Sequence, residues 1–209
     1  MRDYLRDPTE IYRQSFATIR AMADLSSLSA PTHRIAERVI HSCGMPDVAA
    51  DLRISADLPA AIAQALQARK PIFTDSEMVR HGIIARMLPS GVDIVCTLND
   101  EKARELGLAR QITRSAAAVS LWLPRLAGAV AVIGNAPTAL FALLEALDAG
   151  ADRPAAIVGL PVGFIGASEA KDELAENPRG VPFATLLGRR GGSAMAASVI
   201  NAVTADMTR

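Results

Sequence analysis

The sequence predicts an α/β fold: a doubly wound, mostly parallel, Rossmann-like sheet with helices on both faces and an N-terminal helical extension. Three observations carry this. From about residue 70 onward, short apolar runs such as VDIVCTL (92–98) and AAIVGL (155–160) alternate with helical segments. The runs are continuous rather than alternating in hydropathy, the pattern of strands covered on both faces. The stretch LAGAVAVIGNAPTALFALLEAL (126–147) then reads as strand, tight turn and helix in one piece.

Composition narrows the class. A chain of 209 residues, half of them hydrophobic, can bury a sizeable core. We expect a single α/β domain over 1–209, with N-terminal helices over 1–50 and the parallel-sheet core over 70–209. Lys plus Arg and Asp plus Glu both number 22, so the formal charge is zero and no strong field for nucleic acid or an acidic membrane is implied. Cys43 and Cys96 lie far apart with no CxxC spacing, which fits a reducing cytoplasm better than a disulfide scaffold. The opening MRDYLRDPTE lacks the apolar core of a secretory signal, and no run of ~20 apolar residues could span a membrane. A cytoplasmic protein without nucleic-acid or membrane partners is expected.

In chain order, Asp7-Pro8-Thr9-Glu10 is a helix start. Asp7 can cap, Pro8 occupies the first helical position, and Glu10 completes a capping-box pattern. Tyr12, Phe16, Ile19 and Ala23 recur at helical spacing, with Ser15 beside that stripe. A hydroxyl there could face a pocket or bond back to its own helix. Ser29 to Cys43 reads as a second helix stopped by Gly44 and Pro46. His33, Glu37 and His41 share one face of it, but the two histidines stand about 12 Å apart by helix rise, too far for one metal ion. His41 falls in the last turn, where the helix dipole favours an imidazolium and so a proton donor.

Val48 to Ser55 reads as a short strand or extended piece, and Asp57-Leu58-Pro59 opens a helix to about Arg69. Pro71 to Thr74 is a strand with Asp75 as the following cap. Val92 to Leu98 is a strand, Asn99 or Asp100 caps a short helix, and Thr113 to Leu123 is an alanine-rich helix. Ala129 to Ile133 is a buried strand, Asn135 is a helix cap and Pro137 a helix start. Ala155 to Leu160 is a strand followed by a helix capped by Ser168. Val181 to Leu187 is the last strand, and Ala194 to about Asp206 the terminal helix.

Ligands of such sheets bind past the carboxyl ends of the strands. Thr74/Asp75, Thr97/Asn99, Gly134/Asn135/Thr138, Pro161/Gly163/Gly166 and Gly191/Gly192/Ser193 fall there, with Arg189 and Arg190 alongside. Arg114-Ser115 adds a cation at a further helix start. Cations, hydroxyls and helix starts on one edge suit a ligand bearing several carboxylates or phosphates. The stretch Gly134-Asn-Ala-Pro-Thr is not GxGxxG, and neither a P-loop nor a GxSxG elbow occurs. With only His33, His41 and His81, no imidazole cluster is available. No cofactor and no metal are expected.

Taken in order, DPTEIYRQSFATIRAMADL (7–25), RVIHSCG (38–44), IFTDSEMVRHG (72–82), TRSAAA (113–118), GNAPTALFALLE (134–145), IVGLPVGFIGASEAKDEL (157–174) and GRRGGSAMAA (188–197) resemble the precorrin-8X methylmutase family of aerobic cobalamin biosynthesis, over nearly the whole chain. The resemblance implies a cofactor-free isomerase that moves a methyl group from C-11 to C-12 of precorrin-8X, giving hydrogenobyrinic acid. It also implies a homodimer whose subunits share the active sites. The family's catalytic histidine falls on His41, its TRSAAA arginine on Arg114 and its helix-1 serine on Ser15. Adding the sheet-edge residues, and Lys171 from the GxPVGFxGAxExK motif, gives a substrate-binding set of Ser15, Thr97, Arg114, Ser115, Asn135, Thr138, Gly163, Lys171, Gly192 and Ser193. Two positions depart from the family pattern. Met22 stands where an acidic residue is usual, and Ile84-Ala85 lacks the hydroxyl often found after His-Gly.

The residues suit this chemistry. A [1,5] methyl shift needs neither redox cofactor nor metal, but it needs a polarised π-system, which an imidazolium near a ring C nitrogen would supply. A macrocycle ringed by acetates and propionates needs arginines. The alternative is a corrinoid carrier with the same pocket that sequesters product without turnover; a nucleotide-dependent α/β enzyme using the Gly134 turn is the more distant rival.

Overall fold

Six strands form one sheet in the computed structural model, which describes residue 2 and residues 4–207. They are β1 (Leu52–Ile54), β2 (Ile72–Thr74), β3 (Ile94–Cys96), β4 (Val130–Ile133), β5 (Ala156–Gly159) and β6 (Phe183–Leu186). The spatial order is β1-β6-β5-β4-β2-β3; every pairing is parallel except that of β1 with β6. The five parallel strands thus follow the flavodoxin-like order, and the winding reverses between β2 and β4. The crevice at that switch point, past Thr74 and Ile133, is where this topology leaves room for a ligand.

The helices are α1 (Pro8–Met22), α2 (His33–Cys43), α3 (Leu58–Gln67), α4 (Glu77–Gly82), α5 (Glu101–Arg110), α6 (Arg114–Ser120), α7 (Pro137–Asp148), α8 (Ala167–Glu176) and α9 (Ser193–Met207). Side chains alternate across the pleat and so split the core in two. Ile72, Val130, Val132, Ala156 and Val158 meet α2, α3, α4 and α9 on one face. Phe73, Ala131, Ile133 and Ile157 meet α6, α7 and α8 on the other. Both faces of β4 and β5 are fully buried, which is why their sequences are unbroken apolar runs. Helix α1 lies outside this sandwich, packed chiefly on α2 through Phe16 and Ile19. Two such side chains contribute about 1.5–3 kcal/mol each.

Several local expectations change. The parallel strands begin at Ile72, and the 48–55 segment contributes β1, an antiparallel strand outside β6. Residues 46–51 form a 3₁₀ helix begun by Pro46, so only the second half of the 48–55 segment is extended. The first helix starts as expected, with Asp7 accepting from the N–H of Thr9 and of Glu10. The reciprocal half of the capping box is missing, since Glu10 turns instead to Arg13 and Gln14. Tyr12 is 42 % exposed and is not core. Ser168 does not cap α8: Gly166, in the left-handed region, is the N-cap, and the Ser168 hydroxyl donates to Asp172 within the helix.

Candidate active site

The switch point is closed by one carboxylate. Asp75 is 2 % exposed; Oδ1 accepts from the N–H of Gly134 at 2.9 Å, and Oδ2 from those of Asn135 at 2.9 Å and Ala136 at 2.7 Å. Asp75 therefore does not cap its own helix, whose cap is Ser76. Neither does Asn135 cap α7: its side chain makes no capping bond, and Ala136 holds the cap position. Burial pushes the Asp75 carboxyl up, against the pull of three backbone N–H groups. The anion position that a nucleotide phosphate takes in dinucleotide-binding folds is thus filled by the protein's own side chain, which removes the basis of the nucleotide reading. Gly134 has no room for a side chain. A Cβ there would stand 2.9 Å from Ser193 Cα and 2.7 Å from Ala196 Cβ, so the start of α9 rests directly on the turn.

His41 lies at the same end of the molecule. Arg34 in the first turn of α2 pairs with Asp206 near the end of α9, so the two packed helices run antiparallel and the last turn of α2 sits beside the start of α9. A half-open groove of about 510 Å³ runs between α1 and this turn. Ser15 and His41 line it together, with Ile11, Ile19, Met22 and Ile40 as apolar walls. The Ser15 hydroxyl makes no bond back to its helix and is free for a ligand. The exposed His41 ring stacks on Phe16, centroids 5.0 Å apart, with Tyr12 at 6.1 Å. Arg38, one turn earlier, lies over the Tyr12 and Phe16 rings at 5.4 and 5.6 Å and has no carboxylate partner among the described residues. Sequence reading missed Arg38 and the ring pad. The signal was present in the i, i+3 spacing of Arg38 and His41.

The other candidates fall into two groups. Arg114, Ser115, Asn135 and Thr138 meet where α6 and α7 begin, joined by a 2.8 Å hydrogen bond from the Thr113 hydroxyl to that of Thr138. Arg114 is exposed and without a carboxylate partner among the described residues. Gly163 and Gly192 lie on the loops after β5 and β6, and Ser193 opens α9; Gly163 N–H donates to the Arg189 carbonyl, and Gly192 N–H to that of Leu160. Arg190 ties the second loop to Asp47 and Asp51, beside Pro46 of the His41 groove. The site is therefore split: His41 and Ser15 belong to helices on one face of the sheet, Arg114 and Thr138 to helices on the other.

Two candidates are occupied internally. The Thr97 hydroxyl donates to the Ala118 carbonyl and accepts from the Trp122 indole, both at 2.9 Å, so it anchors α6 to β3. Lys171 is fully buried, and its Nζ donates to the Arg190 carbonyl at 2.6 Å. It positions the glycine-rich loop from beneath rather than facing the open edge. Burial pushes its ammonium down to about 8, from an ordinary 10.5. Between those values the unfolded chain holds more protons than the folded one, so this group makes folding more favourable as pH rises. Relative to Lys171→Met, the wild-type chain should gain about 1–3 kcal/mol from about pH 7.5 to about pH 10.5, read by urea denaturation across that range. A difference that stays flat or shrinks would show that the charge is not desolvated.

The remaining motifs do not form a site. His33 Nε2 lies 3.0 Å from the Leu28 carbonyl, Glu37 binds Arg20, and no metal-holding group of three His, Cys, Asp or Glu occurs among the described residues. Exposed His81 lies 3.6 Å from Glu77. Met22 stands on the rim of the His41 groove, whereas Ala85 lines a second groove along the β3 edge, with Arg80 and His81.

Comparison with known proteins finds precorrin-8X methylmutases and, at lower identity, cobalt-precorrin-8 methylmutases. A family model described as precorrin-8X methylmutase matches residues 10–205. The precorrin-8X methylmutase of Pseudomonas aeruginosa is 52% identical over 206 residues, covering 99% of both chains. That of a Sinorhizobium species is 51% identical over 201 residues, covering 96% of each. A crystal structure of the Thermus thermophilus precorrin-8x methyl mutase superposes with a TM-score of 0.84 at 32% identity, covering 94% of this chain and 95% of that one.

Proposed function

The chain belongs to the precorrin-8X methylmutase family, isomerases that convert precorrin-8X to hydrogenobyrinic acid, and we propose that it performs the methyl shift in the groove between α1 and α2 with His41 as the acid. The observation that carries this site is the setting of His41. An imidazole in the last turn of a helix, seated on an aromatic pad, shares an apolar groove with a free serine hydroxyl and lies one turn from an unpaired arginine.

In the rearrangement the C-11–methyl bond breaks as the C-12–methyl bond forms. Nothing leaves and no electrons are supplied. What the protein adds is stabilisation of charge that develops in the conjugated system while the methyl group is between carbons. His41 is the acid, donating its ring N–H to the ring C nitrogen. The Ser15 hydroxyl offers a second hydrogen bond. Arg38 and Arg114 take substrate carboxylates, for which their planar guanidinium groups are matched. Ser115, Asn135, Thr138, Gly163, Gly192 and Ser193 complete the rim, while Thr97 and Lys171 hold its backbone in place.

The same reading makes the active unit a homodimer with shared sites. Two facts support it. The groups it needs stand on opposite faces of the sheet, and α1 leaves Ile11, Tyr12 and Met22 exposed, with Leu5 of the preceding segment beside them, an apolar surface suited to a second copy. No helix among the described residues is long and apolar enough to cross a membrane; a cytoplasmic location is part of the proposal.

Visible absorption spectra recorded over time with precorrin-8X test the reading. Appearance of the hydrogenobyrinic acid spectrum, with many turnovers per chain, is expected. A bound but unchanged substrate spectrum would favour the carrier.

A further inference from the structure

We propose that Phe164 and Arg189 form a clamp on the substrate's rim, the phenyl ring meeting the flat apolar face of the macrocycle and the guanidinium one of its carboxylates. This rests on the reading of the chain as a precorrin-8X isomerase.

Phe164 is 87 % exposed and the following Ile165 is 91 % exposed. Exposure of this extent in adjacent large apolar residues marks a surface that meets something. The segment holding Phe164 is pinned. Pro161 is buried, Gly163 N–H donates to the Arg189 carbonyl at 3.2 Å, and Gly166 turns at φ 74° directly into α8. The two loops lie backbone against backbone at Gly191, where a Cβ would stand 2.4 Å from the Leu160 carbonyl oxygen and 2.6 Å from that of Pro161. Only glycine permits that approach. The phenyl ring is thus presented by a fixed scaffold.

The two adjacent arginines divide the work. Arg190 is spent on the fold: its guanidinium holds Asp47 and Asp51, and its carbonyl holds Lys171. Arg189 is exposed, has no carboxylate partner among the described residues, and rests 5.8 Å from the Phe164 ring centroid. At that distance the ring attracts and orients the guanidinium while leaving its N–H groups free. An aromatic platform with a pre-oriented, unneutralised guanidinium fits a flat conjugated ligand with carboxylates on its rim. The pair also lies on the correct side, because its loop is tied through Arg190 and Asp47 to the segment that begins with Pro46 of the His41 groove.

The test is titration of hydrogenobyrinic acid into wild-type protein, Arg189→Ala, Arg189→Lys, Phe164→Ala and the double alanine variant, followed by visible absorbance at low and high salt. Sedimentation velocity on each protein reports its association state. Arg189→Ala should bind at least about tenfold more weakly with a flatter salt dependence, and Arg189→Lys should recover only part of the loss. Phe164→Ala should also lose about tenfold, and the double variant less than the product of the two, because the side chains touch. Affinities within about twofold of wild type in both single variants would overturn the clamp. So would Phe164→Ala turning a dimer into monomers with affinity restored at high protein concentration, since the loop would then be an interface element. Failure of the wild-type protein to bind the pigment would overturn the functional reading itself, and the clamp with it.

Discussion

Replacing His41 with Asn is expected to lower kcat on precorrin-8X by about 10²–10⁴-fold, the usual contribution of a positioned acid, while the Kd for hydrogenobyrinic acid changes by less than about threefold. The substitution keeps a planar polar group on the Phe16 ring, so the groove keeps its shape. It removes the proton that the moving charge requires. His41 is exposed at the end of α2, so the variant should fold normally, with a thermal midpoint within a few degrees of wild type. The chemical step falls while binding stays, because a group acting on developing charge is worth little before the charge develops. Single-turnover absorbance kinetics and an equilibrium titration on the same protein separate the two quantities. Turnover within tenfold of wild type would move the acid to another group. Equal losses in turnover and in product affinity would make His41 a binding residue.

The Asp75→Ala variant should lose about 2–4 kcal/mol of stability, because three backbone N–H groups, that of Gly134 buried and those of Asn135 and Ala136 part-buried, lose their acceptor at once. For a chain of this size that is a fall of roughly 5–15 °C in Tm. Asp75→Asn should fall between the two, since its amide offers one oxygen to donors that now occupy two. The damage should also reach the reaction. The freed turn carries Asn135 and Thr138 and supports the start of α9, so substrate affinity should drop along with stability. Thermal denaturation with and without hydrogenobyrinic acid reports both. A Tm within 2 °C of wild type would mean that water replaces the carboxylate and that the turn does not depend on it.

These two residues show how unevenly the molecule is written in its sequence. The position of His41 at the end of a helix followed by Gly44 was legible from local chemistry alone, and Gly44 does adopt the left-handed conformation, φ 70°, that ends α2. Asp75 was equally visible as an acidic residue after a strand, but its partner was misassigned. A capping propensity states that a carboxylate seeks free N–H groups; it does not state whose. Parallel pairing brings Thr74 level with Val132, and so presents Asp75 to a turn some sixty positions away. Thr97 and Lys171 find distant partners in the same way. A hydroxyl past a strand and a lysine in a motif look free until Trp122, Ala118 and the Arg190 carbonyl arrive from elsewhere in the chain.

The sequence by itself determined the class of fold, the strands buried on both faces, most helix boundaries and the family, because these depend on periodicity, on Gly and Pro stops, and on the order of motifs along one dimension. Tertiary structure alone decided the strand order, the antiparallel β1, the carboxylate that fills the switch point, and the division of the arginines into spent and free. The physical reason is that a polar group's role depends on which partner reaches it first. Packing chooses that partner across long stretches of chain, and no local pattern encodes the choice.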